Sequence, residues 1–170
     1  MQALPTLEKA AAAESRRFLI DALNVAYWCG APPSLRLPLA LMRPLLVAGH
    51  EVLMIFDASA PHQLRGEAAL YEQLMQQPTL AMQMPSGRSA DGELLRRARA
   101  GSACIISRDG YRDHRRRYRK LIDEPGRVCA GYVAADQLLL PSLPLSLPLP
   151  ATAEAAWLAL QALLVDTALG

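Results

Sequence analysis

The sequence predicts an α/β domain, with helices layered on both faces of a central, mainly parallel sheet and one further helix at the C-terminus. Three observations predict it. Short apolar runs stop at or just before an acid, as buried strands do when they reach the rim of a sheet. Stretches of helical periodicity lie between those runs. Their alternation along the chain has the spacing of βαβ units, whose crossovers are right-handed.

Taken in order, residues 1–16 are a polar, alanine-rich lead, and Arg17 to Asp21 is the first strand. Ser34 to Ala48 has the leucine spacing of a helix; Pro38 is tolerable in its first turn, and Pro44 is expected to kink or shorten it. Gly49 ends it, and Val52 to Asp57 is a second buried strand. Arg65 to Gln76 reads as a helix and Leu80 to Met84 as a shorter strand. Ser89 has the character of an N-cap, opening a helix through Ala100. On that helix Leu94, Leu95 and Ala98 share one face, and Arg96 and Arg99 another. Ala103 to Ser107 is the third strand, Tyr111 to Ile122 a basic helix, and Val128 to Val133 a last strand. The domain proper is therefore expected over residues 17–140. Residues 141–150, PSLPLSLPLP, read as an extended connector, and residues 151–170 as a C-terminal helix. That helix is apolar on most sides. It is expected to pack on the domain, with self-association or a protein partner as the competing reading. It is short for a membrane span, so no membrane association is expected.

With 170 residues and 52% hydrophobic content, the chain has the makings of one buried core. A net charge of +2 announces no global field for a polyanion, but arginines crowd between Arg108 and Arg127. The planar guanidinium suits phosphate oxygens. Cys29, Cys104 and Cys129 form no CxxC pair and sit near no histidine at zinc-ligand spacing, which reads as reduced thiols in a cytoplasmic protein.

In open parallel sheets, ligands bind in the crevice beyond the carboxyl ends of the strands. Asp21, Asp57 and Asp109 lie at or just past such ends, and Asp91 lies in the first turn of a helix facing the same rim. Two carboxylates about 4 Å apart repel by roughly 4 kcal/mol at an effective dielectric near 20. Several together require cations, or protonation of some of their number. Magnesium, with manganese as a substitute, suits an all-oxygen site that keeps positions for water and phosphate. The chemistry indicated is metal-assisted phosphodiester hydrolysis. Candidate metal ligands are Asp21, Asp57, Asp91 and Asp109. Asn24 is placed to bond a carboxylate or a loop backbone. Asp113 either looks toward the same site or pairs with a neighbouring arginine. Asp21, Asn24, Asp91, Asp109 and Asp113 form the candidate catalytic set. Ser107, Arg108, Arg112, Arg115, Arg116 and Arg119 are candidate phosphate contacts, positioning a nucleic-acid strand without reading its bases. Tyr111, Tyr118 and Tyr132 could stack on a base or serve the core, and His62 and His114 have no triad around them. A haloacid-dehalogenase phosphatase would need an acid where Leu23 stands, and a receiver domain would need an acidic pair after the first strand.

Two segments carry a family resemblance. Phe18-Leu19-Ile20-Asp21-Ala22-Leu23-Asn24-Val25-Ala26 resembles the opening "IDGxNVA" strand and turn of NYN-domain ribonucleases. Ile105 to Asp113 resembles the "VVSNDxYRD" segment of their Regnase-like branch, whose animal members carry a CCCH zinc finger. Gly131 through Pro141 echoes the strand and loop that follow. The resemblance implies a PIN-like three-layer α/β/α fold, a magnesium site lined by Asp21, Asp91, Asp109 and Asp113, and endoribonuclease action on single-stranded or loop RNA. The chain departs from the pattern at Ala22, where the family has glycine, and at Ala90, where it has an acid; the zinc finger is absent. Asp57, at a strand end resembling the "VFDG" of more distant PIN-like and flap nucleases, is the proposed compensation. Ala90 also motivates the alternative of a PIN-like RNA-binding or regulatory module with a weakened active site.

Overall fold

The structure, a computed structural model, describes residues 14–170. The expected N-terminal lead lies almost wholly outside the described residues. Five strands form one sheet: β1 (Arg17–Asp21), β2 (Glu51–Phe56), β3 (Ala81–Gln83), β4 (Cys104–Ile106) and β5 (Val128–Cys129), in the order β3-β2-β1-β4-β5. Every pairing in it is parallel.

The period of two along each strand divides the core. Phe18, Ile20, Met54, Phe56, Cys104 and Ile106 face one apolar cluster, with α1 (Ala22–Ala26), α2 (Arg36–Val47), α4 (Ala68–Met75) and α7 (Ala153–Leu169). Leu19, Ile55 and Ile105 face the other, with α5 (Ala90–Gly101) and α6 (Arg115–Asp123). The remaining helix, α3, is the short Ala60–Gln63 segment. Connections from β1 through β2 to β3 put α2 and α4 on the first face, whereas those from β3 through β4 to β5 put α5 and α6 on the second. The direction of travel across the sheet and the covered face reverse together, as crossovers of one hand require. The reversal makes the boundary between β1 and β4 a topological switch point, where a crevice opens beyond the strand ends.

Several sequence expectations change. The strand expected over 128–133 breaks at Gly131, where a Cβ would stand 2.6 Å from the Trp28 ring and 2.7 Å from the Leu139 carbonyl. Past that approach the chain leaves the parallel sheet and builds a second, antiparallel one from β6 (Tyr132–Ala134), β7 (Gln137–Leu140) and β8 (Leu145–Pro148). The proline-rich segment is thus no free connector. Leu143, Leu145, Leu147 and Leu149 alternate with polar residues and prolines and pack against the first core, and proline is tolerated because β8 is an edge strand. Pro44 lies inside α2, which still reaches Val47. The helix expected over 65–76 is a 3-10 turn, Arg65–Glu67, followed by α4. The expected basic helix starts later: Tyr111 is left-handed at φ 49°, Arg112–His114 is a 3-10 turn, and only then does α6 begin.

The C-terminal helix packs on the domain. Ala156, Trp157 and Leu160 join the first core, and the Trp157 indole donates to Gln73 Oε1 at 3.1 Å. Leu158, Val165 and Leu169 point outward. No described helix is long and apolar enough to cross a membrane.

Candidate active site

Asp21 ends β1 on the parity of Leu19, so its side chain lies on the α5 side of the sheet, at the switch point. It occupies the position before α1 but makes no capping bond, which leaves the carboxylate free for other work. Ser107, just past β4 on the parity of Ile105, donates its hydroxyl to Asp21 Oδ2 at 2.8 Å. The Tyr111 hydroxyl donates to the same oxygen at 3.0 Å. Asp109 is fixed in the same turn: its N–H donates to Ser107 Oγ at 3.0 Å, and its Oδ1 accepts the Tyr111 N–H at 2.8 Å.

Asp91 comes from the first turn of α5. That helix start is capped twice. Ser89 Oγ accepts the Gly92 N–H at 3.0 Å, as an N-cap serine does, and Asp57 Oδ1 accepts the Ala90 N–H at 2.8 Å. The result is a group of three acids, Asp21, Asp91 and Asp109, whose ligand oxygens all lie within 4.8 Å of one another.

The electrostatics of this group are unfavourable as they stand. Burial raises the Asp21 carboxyl to about 7; the charges of Asp91 and Asp109 add to the rise, and the Ser107 and Tyr111 hydroxyls oppose it. Burial likewise raises Asp91, and the charges of Asp109, Asp57 and Asp113 add to that, while His114 opposes them. The donor set is all oxygen, converging and short of positive charge, which fits a hard divalent cation and no soft one.

The other expected site residues fall outside the three-acid group. Asp57, expected as a ligand, has one oxygen committed to the start of α5 and acts on the group through its charge on Asp91. Asp113 is exposed on the 3-10 turn, not on an α-helix shared with Asp109, though its charge also reaches Asp91. Asn24 Oδ1 accepts the Trp28 indole N–H at 3.0 Å and the Arg108 N–H at 2.9 Å, tying the loop after β4 to α1. Ser107, expected to touch RNA, is only 1% exposed, so its hydroxyl serves Asp21 and Asp109 instead. Arg108, expected to do the same, donates from Nε to the Gly131 carbonyl at 2.6 Å and stacks its guanidinium 4.7 Å from the Trp28 ring centroid. Arg115 and Arg119 both pair with Asp123. Arg112 and Arg116 are exposed and make no ion pair among the described residues. Ala90, where the resemblance expects an acid, is 1% exposed and belongs to the apolar cluster behind the rim.

Two neighbours of the group have roles that sequence reasoning does not assign them. Tyr111 was a choice between stacking and core, and it serves the site through its hydroxyl. His114 packs at the start of α5, where a Cβ on Gly92 would lie 3.7 Å from its Cε1. No local signal marks either role, because both depend on a left-handed residue and a 3-10 turn that helical periodicity hides.

A family model described as the Zc3h12a-like ribonuclease NYN domain matches residues 14–145. No curated protein matches the chain by sequence. Among solved structures, the nuclear proteinaceous RNase P 2 (PRORP2) of A. thaliana aligns with a TM-score of 0.61 at 15% identity, over 82% of this chain and 31% of that one. A second structure of PRORP2 from Arabidopsis thaliana gives a TM-score of 0.57 at the same identity and coverage. The chain thus spans 31% of the length of the plant protein, and at this identity the likeness is one of fold.

Proposed function

The chain belongs to the Zc3h12a-like ribonuclease NYN domain family, and on that premise we propose that it is a metal-dependent endoribonuclease hydrolysing phosphodiester bonds of single-stranded or loop RNA. The observation that carries the metal dependence is the convergence of Asp21, Asp91 and Asp109 at the switch point, with no ion pair to any of the three among the described residues.

Magnesium, or manganese in its place, would be held by these three acids; it would polarise a phosphoryl oxygen and ease deprotonation of an attacking water. The protein's own residues prepare that site. Ser107 and Tyr111 aim two hydroxyls at Asp21 Oδ2, which fixes the carboxylate while Oδ1 accepts no hydrogen bond among the described residues. Asp57 and Ser89 hold the first turn of α5, and through it Asp91. Asp113 and Asp57 add negative charge around the group, and Asn24 keeps the turn bearing Asp109 in place through Arg108. Of the expected set, Arg112, on the turn that carries Asp113, makes no ion pair among the described residues and is available to position a phosphate.

The competing reading, a weakened RNA-binding module, is motivated by Ala90. Position 90 joins an apolar cluster, and Asp21, Asp91 and Asp109 converge without a further acid there, which supports the enzyme. The test is incubation of labelled single-stranded RNA with the purified protein in magnesium, in manganese and in chelator. Cleavage should require metal, and Asp21→Asn or Asp109→Asn should reduce it by about two orders of magnitude or more. Absence of cleavage in both metals selects the weakened module; turnover that survives both substitutions rejects the site.

A further inference from the structure

Helices α5 and α6 pack beside each other, and between the far half of α5 and the length of α6 lies a groove of about 570 Å³. Arg99 enters it from α5, and Arg116, Arg117, Arg119 and Lys120 from α6. One carboxylate, Glu124, shares the lining, and it is held 2.7 Å from Arg127 Nη1. Arg127 is itself committed to structure, donating from Nη2 to the Ala98 carbonyl and from Nε to that of Ala103. Arg119 shares Asp123 with Arg115. Arg99, Arg116, Arg117 and Lys120 make no ion pair among the described residues.

A solvated helix face would explain scattered cations on a convex surface. It does not explain unpaired cations gathered in a concavity. The floor of the groove sharpens the point. Tyr118 is 5% exposed, with the Arg99 guanidinium 4.6 Å and the Arg117 guanidinium 5.5 Å from its ring centroid. Two guanidinium forks are thereby held in place before any ligand arrives, which lowers the entropy cost of binding. The same covering removes the ring as a platform for a base. What the groove offers is mainly cationic donors, which suit the phosphate oxygens that every nucleotide carries.

We propose that this groove is a second binding site, for the sugar-phosphate backbone of an RNA strand, and that it grips the strand without regard to sequence. Arg99 stands eight residues beyond Asp91 on α5, about 12 Å along the helix axis at the usual rise. A strand lying across the three acids reaches the groove only if it extends beyond the bond being cut. The choice of RNA as the polyanion rests on the ribonuclease reading; the site itself rests on the groove.

The experiment measures binding without turnover. The full chain carrying Asp21→Asn, in chelator, is titrated against fluorescent oligoadenylate and oligouridylate of about four and about twelve nucleotides, at several salt concentrations. Arg116→Gln with Arg117→Gln should weaken binding of the longer strands at least tenfold, and by the same factor for both bases. The slope of log affinity against log salt should fall by about 1.4, or about 0.7 for each phosphate no longer neutralised. The short strands should lose less than about twofold. Arg99→Gln, from the other wall, should repeat the pattern, and melting curves confirm that each variant is folded. Unchanged affinity for the long strands, an equal loss on short ones, or a loss confined to one base would each overturn the proposal. Failure of the ribonuclease reading looks different: strands bind at the groove, yet the unmutated chain cuts nothing in either metal.

Discussion

Asp91 and Glu93 stand two residues apart at the start of α5, and the fold treats them in opposite ways. Arg96 bonds Glu93 through two nitrogens, at 2.9 and 2.7 Å, and Arg97 adds a third bond at 2.6 Å. The Arg96 bonds first, and Arg97 with them, hold the Glu93 carboxyl down near 2, against the pull of its burial. Asp91, half-buried, is grouped with Asp21 and Asp109, and burial, with the charges of Asp109, Asp57 and Asp113, holds its carboxyl up. Both acids gain from the positive end of the helix. What separates them is compensation. Glu93 is a finished structural element, whereas the group around Asp91 is short of positive charge, as a site that awaits a cation would be.

The two kinds of acid should therefore have opposite pH signatures, and this is where the comparison is easiest to break. Asp21 has a folded-state value near 7, against 3.8 in the unfolded chain. Between those values the unfolded chain gives up a proton that the folded one keeps, so metal-free stability should fall as pH rises from about 4 to about 7, by about 2–4 kcal/mol. Asp21→Asn should flatten that fall and be more stable than the parent at pH 8 in chelator. Denaturant melts across this range measure it, and a parent curve that is flat or rising from pH 4 to 7 would show that the acids are already neutralised.

Cation binding should erase the same deficit. Magnesium or manganese at about a hundred times its dissociation constant should stabilise the parent by about 2.7 kcal/mol, seen as a rise in melting temperature of several degrees. The rise should be lost in Asp21→Asn and in Asp109→Asn. An equal rise in all three proteins would mean that the metal binds elsewhere.

Glu93 supplies the smallest effect and the control. Glu93→Gln should cost about 1–2 kcal/mol at neutral pH, a figure discounted because Arg96 and Arg97 are partly solvated. Its contribution is present above about 4.5 and lost as pH falls toward 2, the reverse of the Asp21 window. The metal response should survive this substitution. Its disappearance would show that Glu93 belongs to the site and not to the scaffold.

Much of the site's logic is already visible in local pattern. The acid at the end of β1 falls on the same parity as Leu19, Asp57 on that of Ile55, and Ser107 on that of Ile105, so a period of two aims all three at the α5 side. Ser89 announced the start of α5, and the two motifs around Asp21 and Asp109 marked the family. Local pattern could not tell which of these polar groups would be consumed. Asp57 became a cap and Ser107 a buried donor to Asp21, because both outcomes depend on which backbone or side chain arrives from a distant element.

The sequence by itself therefore determined the parallel α/β class, the core strands and the presence of acids at their carboxyl ends, since alternation and apolar runs are properties of neighbouring residues. The tertiary structure decided the rest. It set β1 beside β4 and so brought Asp21 within reach of Asp109; it bent the chain at Gly131 against Trp28; and it folded the proline-rich segment into an edge strand. It also laid α6 along α5, turning a run of arginines into a groove. Each of these joins residues far apart in the chain, and their free energy comes from packing and charge that no local window contains.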